Sequence, residues 1–202
     1  MAGLTYSVAE FNTIITMLGC MCATIQAVTG AYAFYFKKKK ALLKTNDVLF
    51  RSHRAFGSSA TTLYFLGLFA GTIGFLGGIF FGEPPFEITD LSYNLHVWPN
   101  FVIFVIIVWK TYASYFKKSY IYKCAKWLGI ATFLAWSYLW ITSAFSYYLR
   151  TIPPNDQHDP PRYLLQIELL WLQILVPFLI GILIGLLILR SADKIEKRKL
   201  NK

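Results

Sequence analysis

The chain has 202 residues, 56% of them hydrophobic, with a mean hydropathy of +0.47 and a net charge of +10. So apolar a composition excludes an ordinary soluble domain and points to a polytopic membrane protein. The positive charge does not make it a nucleic-acid binder, because the basic residues are gathered in the short segments between apolar runs, where they act as a topology signal.

Apolar runs of the length that crosses a bilayer core of about 30 Å occur at roughly 9–36, 56–82, 96–116, 128–149 and 164–189, followed by a basic tail at 190–202. They predict an all-α, five-span helical bundle forming a single integral membrane domain over 1–202. Of the 20 basic residues, only Arg150 and Arg162 fall outside the segments 37–54, 110–127 and 190–202. That alternation predicts the N-terminus outside, the C-terminus inside, and a multi-pass protein of a cell membrane whose basic surface meets anionic lipid headgroups. A cleavable signal peptide is not expected, since the basic cluster follows the first apolar run instead of preceding it. The three cysteines, Cys20, Cys22 and Cys124, do not form a disulfide framework by spacing.

Span one carries small residues at four-residue spacing, Gly19, Ala23, Ala27 and Ala31, a stripe suited to close helix packing. Met17, Cys20 and Met21 share a helical face, and their soft sulfur atoms are the ligand type that suits Cu(I); core filling is the ordinary role of the same residues.

Span two follows His53-Arg54 and holds Gly67, Gly71, Gly74, Gly78 and Gly82. Their steps of four, three, four and four residues place them on one helical face. The stripe predicts a central helix, closely approached by span one. Pro84 and Pro85 end the helix. Span three opens with Leu95-His96-Val97-Trp98-Pro99, the proline suiting a first helical turn and the tryptophan an interfacial belt. Span four opens after Ala125-Lys126-Trp127-Leu128-Gly129, a faint echo of His53-Arg54-Ala55-Phe56-Gly57. It is rich in aromatics and hydroxyls from Trp136 to Tyr148. The following loop holds Asp156, His158 and Asp159 among prolines and reads as solvated. Span five carries Glu168, an intramembrane carboxylate and hence a candidate functional group, although its position about one turn from the surface also allows it to snorkel.

Haem b would need axial ligands at matching depth. His53 lies at the inner end of span two and His96 at the outer end of span three, with about 25 residues of span two, roughly 37 Å, between them, so they do not pair on one haem. Each remains a candidate metal or haem position, with a ligand from another chain or with none. Haem b and copper are the cofactors these residue types could hold, and a chain holding neither is equally open. No nucleophile–base constellation, phosphate loop or zinc motif is present, so no enzyme is expected.

The basic linker leading into His53-Arg54 with Gly57, the Leu95-His96 entry, Lys123 to Trp127, and the run from Trp136 to Leu149 together resemble the domain-of-unknown-function family 420, small polytopic membrane proteins linked to haem–copper oxidase assembly. The resemblance covers about residues 10–150. It implies a non-catalytic accessory or assembly subunit of a respiratory membrane complex, partnered by other membrane subunits, with His53 and His96 as suspected metal or haem positions. The chain departs from that pattern at Ile121, Tyr122 and Ala125, where the family commonly has another histidine, and in its fifth span. A fainter likeness to di-haem, ascorbate-linked b-type cytochromes implies an electron-transfer subunit. A purely structural subunit, using the glycine stripe as its contact face, is the third expectation.

Overall fold

The computed structural model describes residues 8–36, 48–81, 91–116, 118–152 and 160–200. The chain forms α1 (Val8–Tyr35), α2 (Val48–Phe81), α3 (Leu91–Val97), α4 (Pro99–Phe116), α5 (Lys118–Leu149) and α6 (Leu170–Leu200), with a 3-10 turn at Ile167–Leu169 before the last. No strand occurs among the described residues. Five segments have the length and composition of membrane spans: Ala9–Tyr35, Val48–Ile73, Asn94–Phe116, Lys123–Leu149 and Ile167–Ile195. This is the build of a multi-pass membrane protein.

The helices alternate in direction. At one end the Tyr32 hydroxyl of α1 donates to Asp193 of α6 at 2.8 Å, Lys126 of α5 stands over the Phe34 ring, and Arg54 of α2 lies over Tyr115 of α4. We call this the basic end. At the other, Glu10 of α1 meets the backbone of residues 162–164, and the Tyr148 hydroxyl of α5 reaches the Leu165 carbonyl.

The centre of the bundle is α1, not the glycine-bearing α2 that the sequence favours. Half of the α1 span is buried, against 22% for α2 and 17% for the span containing α4. Residue size explains this. Around α1, Thr13, Thr16, Gly19, Cys20, Ala23, Thr24, Thr29 and Ala33 are small and buried, so α2, α5 and α6 can all approach its backbone. Its threonines do not carry unsatisfied hydroxyls into that core. Those of Thr13, Thr24 and Thr29 donate to carbonyls four residues back and that of Thr16 to the Thr13 carbonyl. Outward, α2 presents Phe65, Leu66, Leu68 and Phe69, all exposed, as lipid-facing residues should be.

Close approaches occur where single glycines meet large groups. A Cβ at Gly19 would overlap the Trp136 ring of α5, and one at Gly181 would stand 2.7 Å from Thr24 Cβ. The predicted stripe behaves differently. Gly67 faces the Asn12 side chain, but a Cβ at Gly71 would meet nothing within 4 Å. Gly71 therefore makes no close helix contact among the described residues. The surroundings of Gly74 and Gly78, and Gly82 itself, lie outside the described residues.

Two prolines lie within spans, and α5 donates to a carbonyl near each. Pro99 has no N–H to give the Leu95 carbonyl, and the Tyr138 hydroxyl donates to that oxygen at 2.7 Å. Asn100 Nδ2 takes the neighbouring His96 carbonyl at 2.8 Å. Pro177 lies within α6, and Trp140 Nε1 donates to the nearby Ile174 carbonyl at 2.9 Å. In hydrocarbon the Leu95 carbonyl would otherwise lack its helical partner.

Candidate functional site

Three polar groupings lie inside the bundle, and the two histidines belong to different ones. His53, near the start of α2, points its ring at α1. Its Nδ1 lies 3.0 Å from Thr29 Oγ1. The Thr29 hydroxyl also lies within hydrogen-bond reach of the carbonyls of Ile25 at 2.9 Å and Gln26 at 3.1 Å. The ring fits because Gly30 has no side chain: a Cβ there would be 3.1 Å from His53 Cε1. Beside it, Lys110 Nζ of α4 donates to Gln26 Oε1 at 2.6 Å. Gln26 in turn lies against Gly57, whose missing Cβ would overlap Gln26 Nε2. His53, Thr29, Gln26 and Lys110 thus form one cluster near the basic end.

His96, in α3, is held near the opposite end. Its Nδ1 lies 3.3 Å from Thr142 Oγ1 of α5, and that hydroxyl also points to its own helix, at the Tyr138 carbonyl. The arrangement repeats the His53–Thr29 one: a histidine whose Nδ1 rests on a back-bonded threonine. A hydrogen bond at one ring nitrogen is the usual support of a ligating imidazole. The two rings nevertheless stand at opposite ends, on different partner helices, and do not fit a haem held by both within one chain. No grouping of three or more His, Cys, Asp or Glu suited to a metal occurs among the described residues. His158, with Asp156 and Asp159, lies outside the described residues.

The sulfur face of α1 is packed. Cys20 is fully buried against Trp140, Ala144 and Tyr147. Met17 lies at the edge of that cluster, and its Sδ accepts from Gln173 Nε2 at 2.9 Å. Met21 is partly buried, with its backbone carbonyl 3.0 Å from the place a Cβ at Gly181 would take. Copper binding would have to displace the Gln173 bond to Met17.

Glu168 is not inside the bundle. It sits in the 3-10 turn before α6 and is exposed, the snorkelling alternative in structural form. The carboxylate that is buried is Glu10, 4% exposed. Its Oε1 accepts the backbone N–H groups of Arg162, Tyr163 and Leu164 at 2.8, 2.8 and 3.3 Å. These are charge-assisted bonds to donors that no helix or sheet would satisfy. Gln173 extends the grouping, its Oε1 accepting the Leu165 N–H at 3.1 Å. Glu10 therefore clamps the chain entering α6 onto the start of α1.

Both Glu10 and Lys110 are sites that the sequence marks faintly. Glu10 falls in the first turn of its span and reads as an interfacial residue. Lys110 looks like part of the basic flank after span three, yet it continues the inward stripe Ile103, Ile107 and Ala113, all buried. That periodicity would have singled it out.

A scan of protein-family models and searches of curated proteins and of solved structures found no match to this chain.

Proposed function

We propose that the chain is a non-catalytic accessory or assembly subunit of a larger membrane complex, seated in a cell membrane with its basic end toward the cytoplasm. The observation that carries this is the outer face of α2. Ala55, Ser58, Ser59 and Thr62 are exposed there and share one helical face. Residues that face only lipid are normally bulky and apolar, as on the outer side of α4, where Phe101, Val102, Val105, Val108 and Trp109 are exposed. Small and hydroxyl-bearing residues instead belong where another helix comes close. A partner helix against the α2 face near the basic end would account for them. A respiratory, oxidase-type complex is the assembly we propose, supported by the motif resemblance around His53-Arg54 and Leu95-His96. Carriage of haem is the less favoured role, because a second ligand would have to come from another chain.

The test is co-purification from native membranes in mild detergent. A Ser59→Leu/Thr62→Leu variant should lose its membrane partners while keeping its own thermal stability, since both positions are exposed in the single chain. Val105→Leu on α4 should keep them. A wild-type chain that isolates alone, or a double variant that retains every partner, would overturn the docking role. Unchanged oxidase assembly in membranes lacking the chain would overturn the respiratory assignment separately.

A further inference from the structure

Lys110 is a cation on a buried stripe. Ile103, Ile107 and Ala113 flank it on the inward face of α4, where an apolar residue is expected. An ammonium carries three donors. One goes to Gln26 Oε1 at 2.6 Å, a neutral acceptor, and among the described residues no carboxylate meets it. Its neighbours add no negative charge. His53 offers a ring fixed through Nδ1 on Thr29, and Arg54, the next residue, lies over the Tyr115 ring on α4, 5.9 Å from its centroid. Both cations lie toward the basic end, Lys110 on the inward face of α4 and Arg54, exposed, at the Tyr115 ring.

Two glycines are given over to this cluster. Gly57 admits the Gln26 side chain and Gly30 admits the His53 ring. A bundle that only needed to pack would place apolar side chains there. Position adds a third constraint. Lys110 is six residues from the end of α4 at Phe116, about 9 Å along a helix, which sets it near the boundary between hydrocarbon and headgroups. Lys110 is partly buried, and cations placed on the inward side of a span usually pair or mark a site.

We propose that Lys110, with Arg54 and the Gln26 amide, forms a binding site for a phosphate group at the basic end of the bundle. A phosphate offers several anionic oxygens, enough to take the remaining Lys110 donors and the Arg54 guanidinium together. Its source is either the headgroup of a phospholipid entering between α2 and α4 or a soluble phosphate compound.

The test uses the full chain purified in detergent and stripped of lipid, with thermal midpoints followed during titration by dioleoyl phosphatidylglycerol, by dioleoylglycerol, which lacks the phosphate, and by inorganic phosphate. Phosphatidylglycerol should raise the midpoint and dioleoylglycerol should not. Lys110→Met, which keeps the length of the stem, should weaken the lipid response at least tenfold, and Lys110→Arg should largely restore it. Should Lys110→Met fail to fold, Arg54→Gln carries the test, with a severalfold weaker response expected. A midpoint shift by inorganic phosphate that also depends on Lys110 would assign the site to a soluble compound. Equal responses to the two lipids, or responses unchanged in both Lys110→Met and Arg54→Gln, would overturn the proposal.

Discussion

Removing the Glu10 carboxylate should loosen one end of the bundle selectively. Its Oε1 accepts three backbone N–H groups, two at 2.8 Å and one at 3.3 Å, while the residue itself is 4% exposed. An unsatisfied buried donor costs about 1–3 kcal/mol. Arg162 and Tyr163 are exposed, so water can reach their backbone once the clamp is gone, whereas Leu164 is buried in the cluster with Tyr148 and Trp140. The loss for Glu10→Ala is then about 2–4 kcal/mol rather than the full sum for three orphaned donors. Glu10→Gln keeps a side-chain oxygen that can accept, and loses only the charge assistance, about 1 kcal/mol. The assay pairs thermal unfolding in detergent with limited proteolysis. Glu10→Ala should be cut between 150 and 165 well before its helices melt, and Glu10→Gln should fall between it and the wild type. An alanine variant with wild-type unfolding and wild-type cleavage would refute the clamp.

Two further expectations concern α5. Gly19→Ala should destabilise the chain by about 1–3 kcal/mol, the usual cost of overpacking a tight core, because its Cβ would overlap the Trp136 ring; the thermal midpoint in detergent is the check, and Gly71→Ala, with nothing within 4 Å, should leave it unchanged. Tyr138→Phe and Trp140→Phe each remove a donor to a carbonyl beside a proline break, the Leu95 and Ile174 oxygens. Tyr138→Phe should lose roughly 0.5–2 kcal/mol in unfolding free energy, the range for hydrogen bonds within membranes. Trp140→Phe should lose more, because it also empties volume at a fully buried site.

The five spans are legible in the sequence because twenty-residue apolar runs leave few alternatives in a bilayer. Pro99 as a helix start is legible for the same kind of local reason: the missing N–H is harmless there, and α4 does begin at that residue. Which helix occupies the centre is not legible. The glycine stripe of α2 states that a close approach is sterically possible and leaves open what approaches. In this chain isolated glycines carry that role, Gly19 against Trp136 and Gly57 against Gln26. On α1 the small residues and threonines go nearly all the way round, so no periodicity announces their burial. The candidate site divides in the same way. The threonine partners of His53 and His96 come from other helices, 24 and 46 residues away, and no local pattern connects them. Glu168 attracts notice as a carboxylate in an apolar run, whereas Glu10, at a span edge, becomes buried only when residues 162–164 fold over it.

That clamp also sets an order on how the molecule can be made. A chain emerges from its N-terminal side first, so α1 enters the membrane with Glu10 lacking the backbone donors of Arg162, Tyr163 and Leu164, which lie 152 to 154 residues farther along. Gln26 likewise waits 84 residues for Lys110. The hub of the bundle precedes the other four spans in the chain, and its Glu10 meets those donors only when the segment leading into α6 has arrived. A chain truncated before α6 would leave a carboxylate exposed at the membrane edge of its first helix, a mark by which an unfinished molecule differs chemically from a finished one.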